Sequence, residues 1–167
     1  MMQIRIHGIK DGKHPIDLRT LASSVPDIFP EFIGEIHLEG VLTKLGNRYN
    51  FSGTATCMAR YVCDLSLEEY EEEVVSAIDC SMIADTELYF LQQTSFGEEF
   101  NEIALHSEDE YFDISAEVKD SLVVHLPMRR IAPQYRGKSW QEIHPELVSN
   151  NKMDDRWSGL QGITFDN

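Results

Sequence analysis

The sequence predicts an α+β domain: an antiparallel β-sheet with an amphipathic helix of the C-terminal half packed on one face. Three observations carry that expectation. Residues 113–130, DISAEVKDSLVVHLPMRR, place Ile114, Val118, Leu122 and Leu126 at four-residue steps, with Ser121 and His125 completing the stripe. Glu117, Lys119 and Asp120 fall mostly off it, so one helix face is apolar and the other wet. Secondly, the runs Ile36–Leu45 and Tyr49–Cys63 flank Gly46-Asn47, a dipeptide suited to a tight hairpin turn. Thirdly, Met2, Ile4 and Ile6 alternate with Gln3, Arg5 and His7, the period of a strand.

In chain order, Met2–Ile9 reads as a strand that Asp11-Gly12 turns. Ile16–Val25 fits a short helix with Leu18, Leu21 and Ala22 inward, ended by Pro26 and Pro30. The hairpin follows, with Gly53 a candidate bulge. Residues 66–83 admit two readings. Ser66-Leu67-Glu68-Glu69 fits a capping box, and Leu67, Tyr70, Val74 and Ala77 fit a helix. Tyr70, Val74, Ile78, Cys80 and Met82 fit a strand, with Glu72 and Ser76 as misfits. Glu87–Gln93 and Phe100–Leu105 are short apolar pieces around an acidic link. The helix of Asp113–Leu126 has Asp113 as its expected N-cap, because a carboxylate accepts the free amide hydrogens of a first turn. Pro127 stops it, lacking an N–H and biasing Leu126 away from helical angles. Ser139–Val148 fits one short helix interrupted at Pro145. A single domain over residues 1–149 is expected, with residues 150–167 a loosely held tail that Trp157 and Leu160 pin back.

The chain has 167 residues and a formal net charge of −15, enough length to bury a sizeable core. That charge opposes broad binding to nucleic acid or anionic membrane and favours basic partners. Cys57, Cys63 and Cys80 are too few for a disulfide framework. Residues 1–15 carry charge inside every short apolar run, so no signal peptide is expected. No run approaches the roughly 20 apolar residues of a membrane span. A cytoplasmic protein is expected.

No enzymatic constellation stands out: there is no Gly-x-Ser-x-Gly, no phosphate-cradling glycine loop and no His-Glu-x-x-His. A non-enzymatic role without cofactor is expected. His125, alone on an apolar stripe, reads as packed and hydrogen-bonded rather than catalytic. Cys57 and Cys63 on one strand would lie about 20 Å apart, beyond the reach of one zinc ion, whose bonds to sulfur are near 2.3 Å. No metal site is expected, and the thiols read as small core or surface residues.

Charge patterning is the remaining signal. Residues 121–140 contain no Asp or Glu but carry Arg129, Arg130, Arg136 and Lys138, interleaved with Tyr135 and Trp140. Arginine pairs phosphate through its planar fork and aromatic rings stack on unpaired bases, so these six residues are the candidate RNA-binding site. The same cations are equally suited to the protein's own carboxylates, which concentrate in Asp64–Glu73 and Glu98–Asp113.

The order Asp113, Ile114, Val118, Asp120, Leu122, Leu126, Pro127 and Met128 resembles the YceD-like family of large ribosomal RNA subunit accumulation proteins. Asp154-Asp155-Arg156-Trp157 with Leu160 is similar to the family's closing Asp-Pro-Arg-Trp-x-x-Leu, Asp155 replacing proline. Arg60-Tyr61-Val62-Cys63 stands where the family has Cys-x-Arg-Cys. The resemblance spans about Glu35–Leu160. The cysteine cluster that many relatives carry after Leu-Pro is absent here and the Cys-x-Arg-Cys place has lost one cysteine, so a family metal role is not expected of this chain. The resemblance favours a strand over Glu72–Ile83. It implies a factor for accumulation or processing of 23S ribosomal RNA, with that RNA, ribosomal proteins or processing factors as partners. The rival reading is an acidic protein-interaction module that clamps a basic ribosomal protein or processing factor.

Overall fold

The computed structural model describes residues 1–95 and 102–145. Its strands, in chain order, are β1 (Gln3–Arg5), β2 (Gly12–Leu21), β3 (Phe32–Leu45), β4 (Arg48–Val62), β5 (Glu69–Ala84), β6 (Ile103–Leu105) and β7 (Tyr111–Asp113). Five of them form one sheet in the order β2-β3-β4-β5-β6, while β1 pairs with β7. Accompanying them among the described residues are the helices α1 (Thr86–Thr94), α2 (Ser115–Val124) and α3 (Trp140–Ile143).

The hairpin of β3 and β4 forms as the sequence predicts. Leu45 lies opposite Arg48, so Gly46-Asn47 is a two-residue loop, and Gly46 takes the positive φ of 62° that such a turn needs. Gly53 is not a bulge. It faces Gly40 across the hairpin, and a Cβ on Gly40 would stand 2.6 Å from the Gly53 Cα and 2.8 Å from the Phe51 ring. The glycine pair makes room for that ring. The register shift lies instead between Ile33 and Ile36, around Gly34 at φ 73°.

Residues 69–84 are one long strand in register with β4, from Glu69 opposite Val62 to Ile83 opposite Arg48. The expected strand over Glu72–Ile83 therefore stands and is longer at both ends. Tertiary pairing overrides the helical preference of the acidic half. Leu67 instead adopts a turn with φ 61°.

Residues 12–21 correct a second expectation. The short helix over Ile16–Val25 is replaced by β2 and a 3-10 turn at Ala22–Ser24. His14, Ile16, Leu18 and Thr20 are half-buried and their neighbours exposed, a period of two that the spacing of Leu18, Leu21 and Ala22 obscured. Leu21, expected inward, is 56% exposed. Pro15 is tolerated because β2 is an edge strand.

The sheet is mixed rather than antiparallel throughout. Strands β2 to β5 alternate in direction, but β6 runs parallel to β5 over Met82–Ala84. A parallel neighbour needs a crossover, and α1 lies in that connection. Asp85 caps α1, accepting hydrogen bonds from the Glu87 and Leu88 amides.

One face of the sheet is buried. Ile36, Leu38 and Leu42 of β3, Phe51, Ala55 and Cys57 of β4, and Val74, Ile78 and Met82 of β5 share a core with Ile4, Phe112, Ile114, Val118 and Leu122. Ile114, Val118 and Leu122 are fully buried, whereas Leu126 is only partly so and His125 is exposed. The N-cap of α2 is Ile114 rather than Asp113. Asp113 sits one residue earlier and accepts the Ser115 amide at 3.0 Å. The helix ends at Val124, before Leu126.

Candidate nucleic-acid interface

The six candidate residues lie on a strap that runs from the end of α2 to α3, past the ends of β4 and β5. Backbone pairing sets its course. The Asp64 amide donates to the Arg130 carbonyl at 2.7 Å, and the Arg130 amide donates to the Asp64 carboxylate at 2.8 Å. Ala132 is fully buried, and its amide donates to Cys63 Sγ at 3.4 Å. A 3-10 turn at Pro133–Tyr135 and the positive φ of Gly137, 84°, bend the strap toward α3. Ser139 and Glu142 cap α3 reciprocally as a capping box. Its single turn agrees with the helix expected from Ser139 up to Pro145, while residues 146–148 lie outside the described residues, as do Trp157, Leu160 and the Asp154–Trp157 motif.

The strap's side chains turn largely back on the protein. Arg130 reaches Glu31 at 3.0 Å, and its guanidinium lies 5.4 Å from the centre of the Tyr61 ring. Arg136 pairs with Glu72, which holds its guanidinium even more firmly protonated than usual. Tyr135 donates its hydroxyl to Glu68 at 2.9 Å, and that bond raises the phenol above its ordinary value. Lys138 sits over the Tyr135 ring at 5.6 Å. Trp140 is 46% exposed, with its ring tilted against His144. Arg129 is exposed and has no carboxylate partner among the described residues.

The structure thus brings the island together, and it also supplies acids that no acid-free window reveals. Glu31, Asp64, Glu68 and Glu72 come from other parts of the chain. Strand alternation sorts the acidic run. Glu72 points to the side of the strap, whereas Glu69, Glu71 and Glu73 are exposed on the opposite face of β5. The signal for this was the period of two in residues 69–84. In the second acidic run, Glu102 pairs with Arg48 at 3.6 Å and Asp109 accepts the His106 amide. Glu98 and Glu99 lie outside the described residues.

The three thiols are free and buried. Burial pushes Cys57 and Cys80 up to about 11. Burial also opposes ionisation of Cys63, but hydrogen bonds from the Ala132 backbone and from Ser66 and Leu65 outweigh it and bring it down to about 7. No group of three or more His, Cys, Asp or Glu side chains is arranged for a metal among the described residues. No helix among them is long and apolar enough to cross a membrane.

A family model described as "Large ribosomal RNA subunit accumulation protein YceD" matches residues 51–164, more than half of the chain. It covers β4 from Phe51 onward, all of β5 and α2, and the whole strap. No curated protein and no solved structure matches the chain.

Proposed function

Because the chain belongs to the YceD family, named for accumulation of the large ribosomal RNA subunit and not for a catalytic activity, we propose that it is a cytoplasmic, non-enzymatic factor for accumulation or processing of 23S ribosomal RNA that meets RNA through the strap. In this reading Arg129 and Lys138 contact phosphate, and Trp140 stacks on an unpaired base. Arg130, Arg136 and Tyr135 shape the strap through Glu31, Glu72 and Glu68, and they reach RNA only where those acids release them. The helix α2 braces the buried face of the sheet from which the strap departs. Residues 1–149 act as one domain and residues 150–167 as its tail. The observation that carries the reading is an exposed Arg129, without a carboxylate partner among the described residues, on an element inside the family match.

The test is binding of a 23S ribosomal RNA fragment at several salt concentrations. Arg129→Ala should weaken binding about equally for different RNA sequences. It should also flatten the slope of log K against log salt by roughly 0.7–0.9. An unchanged slope with unchanged affinity would remove the strap from RNA contact.

The second reading, docking of a basic ribosomal protein or processing factor, is favoured by a specific observation. Two of the four strap cations are already neutralised by the protein's own acids, while Glu69 and Glu73 face outward on either side of Glu71, which pairs with Arg60 at 2.9 Å. Under it, a basic protein binds and RNA joins only through that partner.

A further inference from the structure

Among the described residues, the edge of β5 is open along its first half. Strand β6 covers β5 only at Met82–Ala84, and β4 occupies the other side along the whole strand. Ser121 Oγ donates to the Ala77 carbonyl at 3.0 Å, so Ala77 turns its carbonyl away from β4. In an antiparallel strand, alternate residues direct both backbone groups to the same side. Val75, Glu73 and Glu71 therefore present their N–H and C=O groups to that same edge. The register on the far side agrees, since the Arg60 amide of β4 donates to Glu31 beyond β3's start, away from β5. No backbone partner fills the β5 edge at these residues among the described residues. Val75 is 51% exposed, and Glu71 and Glu73 are exposed beside it.

From this geometry we infer that the β5 edge from Glu71 to Val75 is a docking site for an extended, lysine- or arginine-bearing polypeptide segment, which adds to the sheet as a further strand. An unpaired edge is a template for strand addition. Charge selects the occupant. A second copy of β5 would set glutamates against glutamates, whereas cationic side chains opposite Glu69 and Glu73 form favourable cross-strand pairs; Glu71 between them is held by Arg60 of β4 at 2.9 Å. The alternate side chains of the incoming strand point to the strap side. There a cavity of about 270 Å³ lies between the strand and the end of α2, lined by Tyr61, Glu72, His125, Pro127 and Arg136 among others. This deepens the protein-docking reading and stands independently of RNA contact by the strap.

The probe is a fluorescent Lys-Val-Lys-Val-Lys-Val-Lys peptide, titrated into the full chain by anisotropy, with amide hydrogen exchange followed in parallel. The peptide should bind and slow exchange at Glu71, Glu73 and Val75. N-methylation of either the Val or the Lys residues should, for one of the two sets, weaken it by about tenfold or more, because the edge hydrogen bonds are lost. Glu69→Gln/Glu73→Gln, which leaves the Arg60–Glu71 pair intact, should weaken the parent peptide without lowering the melting temperature. Equal binding by the parent and both methylated peptides would overturn strand addition while leaving an acidic docking face. No binding by any of them would overturn both. Amides at Glu71, Glu73 and Val75 already protected in the free protein would show the edge filled by the chain itself or by a second copy, and would also overturn the proposal.

Discussion

Arg130 holds Glu31 at 3.0 Å across 99 positions of the chain, with its guanidinium against the Tyr61 ring. The contact ties the strap to the start of β3 and takes one strap cation out of the free surface. Arg129, its neighbour, has no such bond among the described residues. The two arginines should therefore separate in experiment. Arg130→Ala should lower stability by about 0.2–1 kcal/mol, the range of partly exposed ion pairs, and change RNA affinity little. Arg129→Ala should leave the melt unchanged and weaken RNA binding. Thermal melts and RNA titrations on both variants decide this, and the reverse assignment would refute the division of roles.

Leu122 is fully buried among residues from β4 and β5. Leu122→Ala should cost about 2–5 kcal/mol, from lost transfer free energy and the cavity left behind. Denaturant unfolding measures it. A loss under about 1 kcal/mol would mean that α2 contributes little to the core.

Gly40 and Gly53 face each other beneath the Phe51 ring. A methyl group on Gly40 would meet the Gly53 Cα at 2.6 Å and the Ser52 carbonyl oxygen at 2.6 Å, both backbone atoms that cannot swing aside. Gly40→Ala should destabilise by about 1–3 kcal/mol through overpacking. A melt equal to that of the parent protein would show that the hairpin relaxes freely at this point.

Glu117 should make stability fall as pH rises. Burial, with the Asp113 and Asp120 carboxylates in support, raises its carboxyl above the ordinary 4.5, although its own backbone amide partly opposes this. The folded state therefore holds this proton at pH values where the unfolded chain has released it. The associated stability is fully present below pH 4.5 and is lost as pH rises through the folded value. Glu117→Gln, which cannot ionise, should be more stable than the parent at neutral pH, with the difference shrinking on acidification. Paired melts across this range test it. A variant less stable than the parent at neutral pH would contradict the cause assigned here.

Local pattern was sufficient wherever neighbours in sequence are also neighbours in space. Gly46-Asn47 between two strand-forming runs specified the hairpin, because a two-residue turn fixes register by itself. Ile114, Val118 and Leu122 specified a buried helix face, because one period of 3.6 residues decides it. The match over residues 51–164 was legible for the same reason, as an ordered set of local motifs. Tertiary structure decided what depends on distant partners. Residues 69–73 favour helix by composition, yet β4 takes them as a strand, since pairing along Val62–Arg48 outweighs local propensity. Residues 16–21 became an edge strand on β3 for a similar reason. The sequence left the partners of the strap's cations open, RNA or the protein's own acids, because no acid stands near them in the chain. Glu31, Glu68 and Glu72 reach them only after the sheet has formed, and alternation along β5 then turns Glu69, Glu71 and Glu73 to the other face. Charge acts through distance in space, so the composition of a window shows which charges are present but not which of them meet.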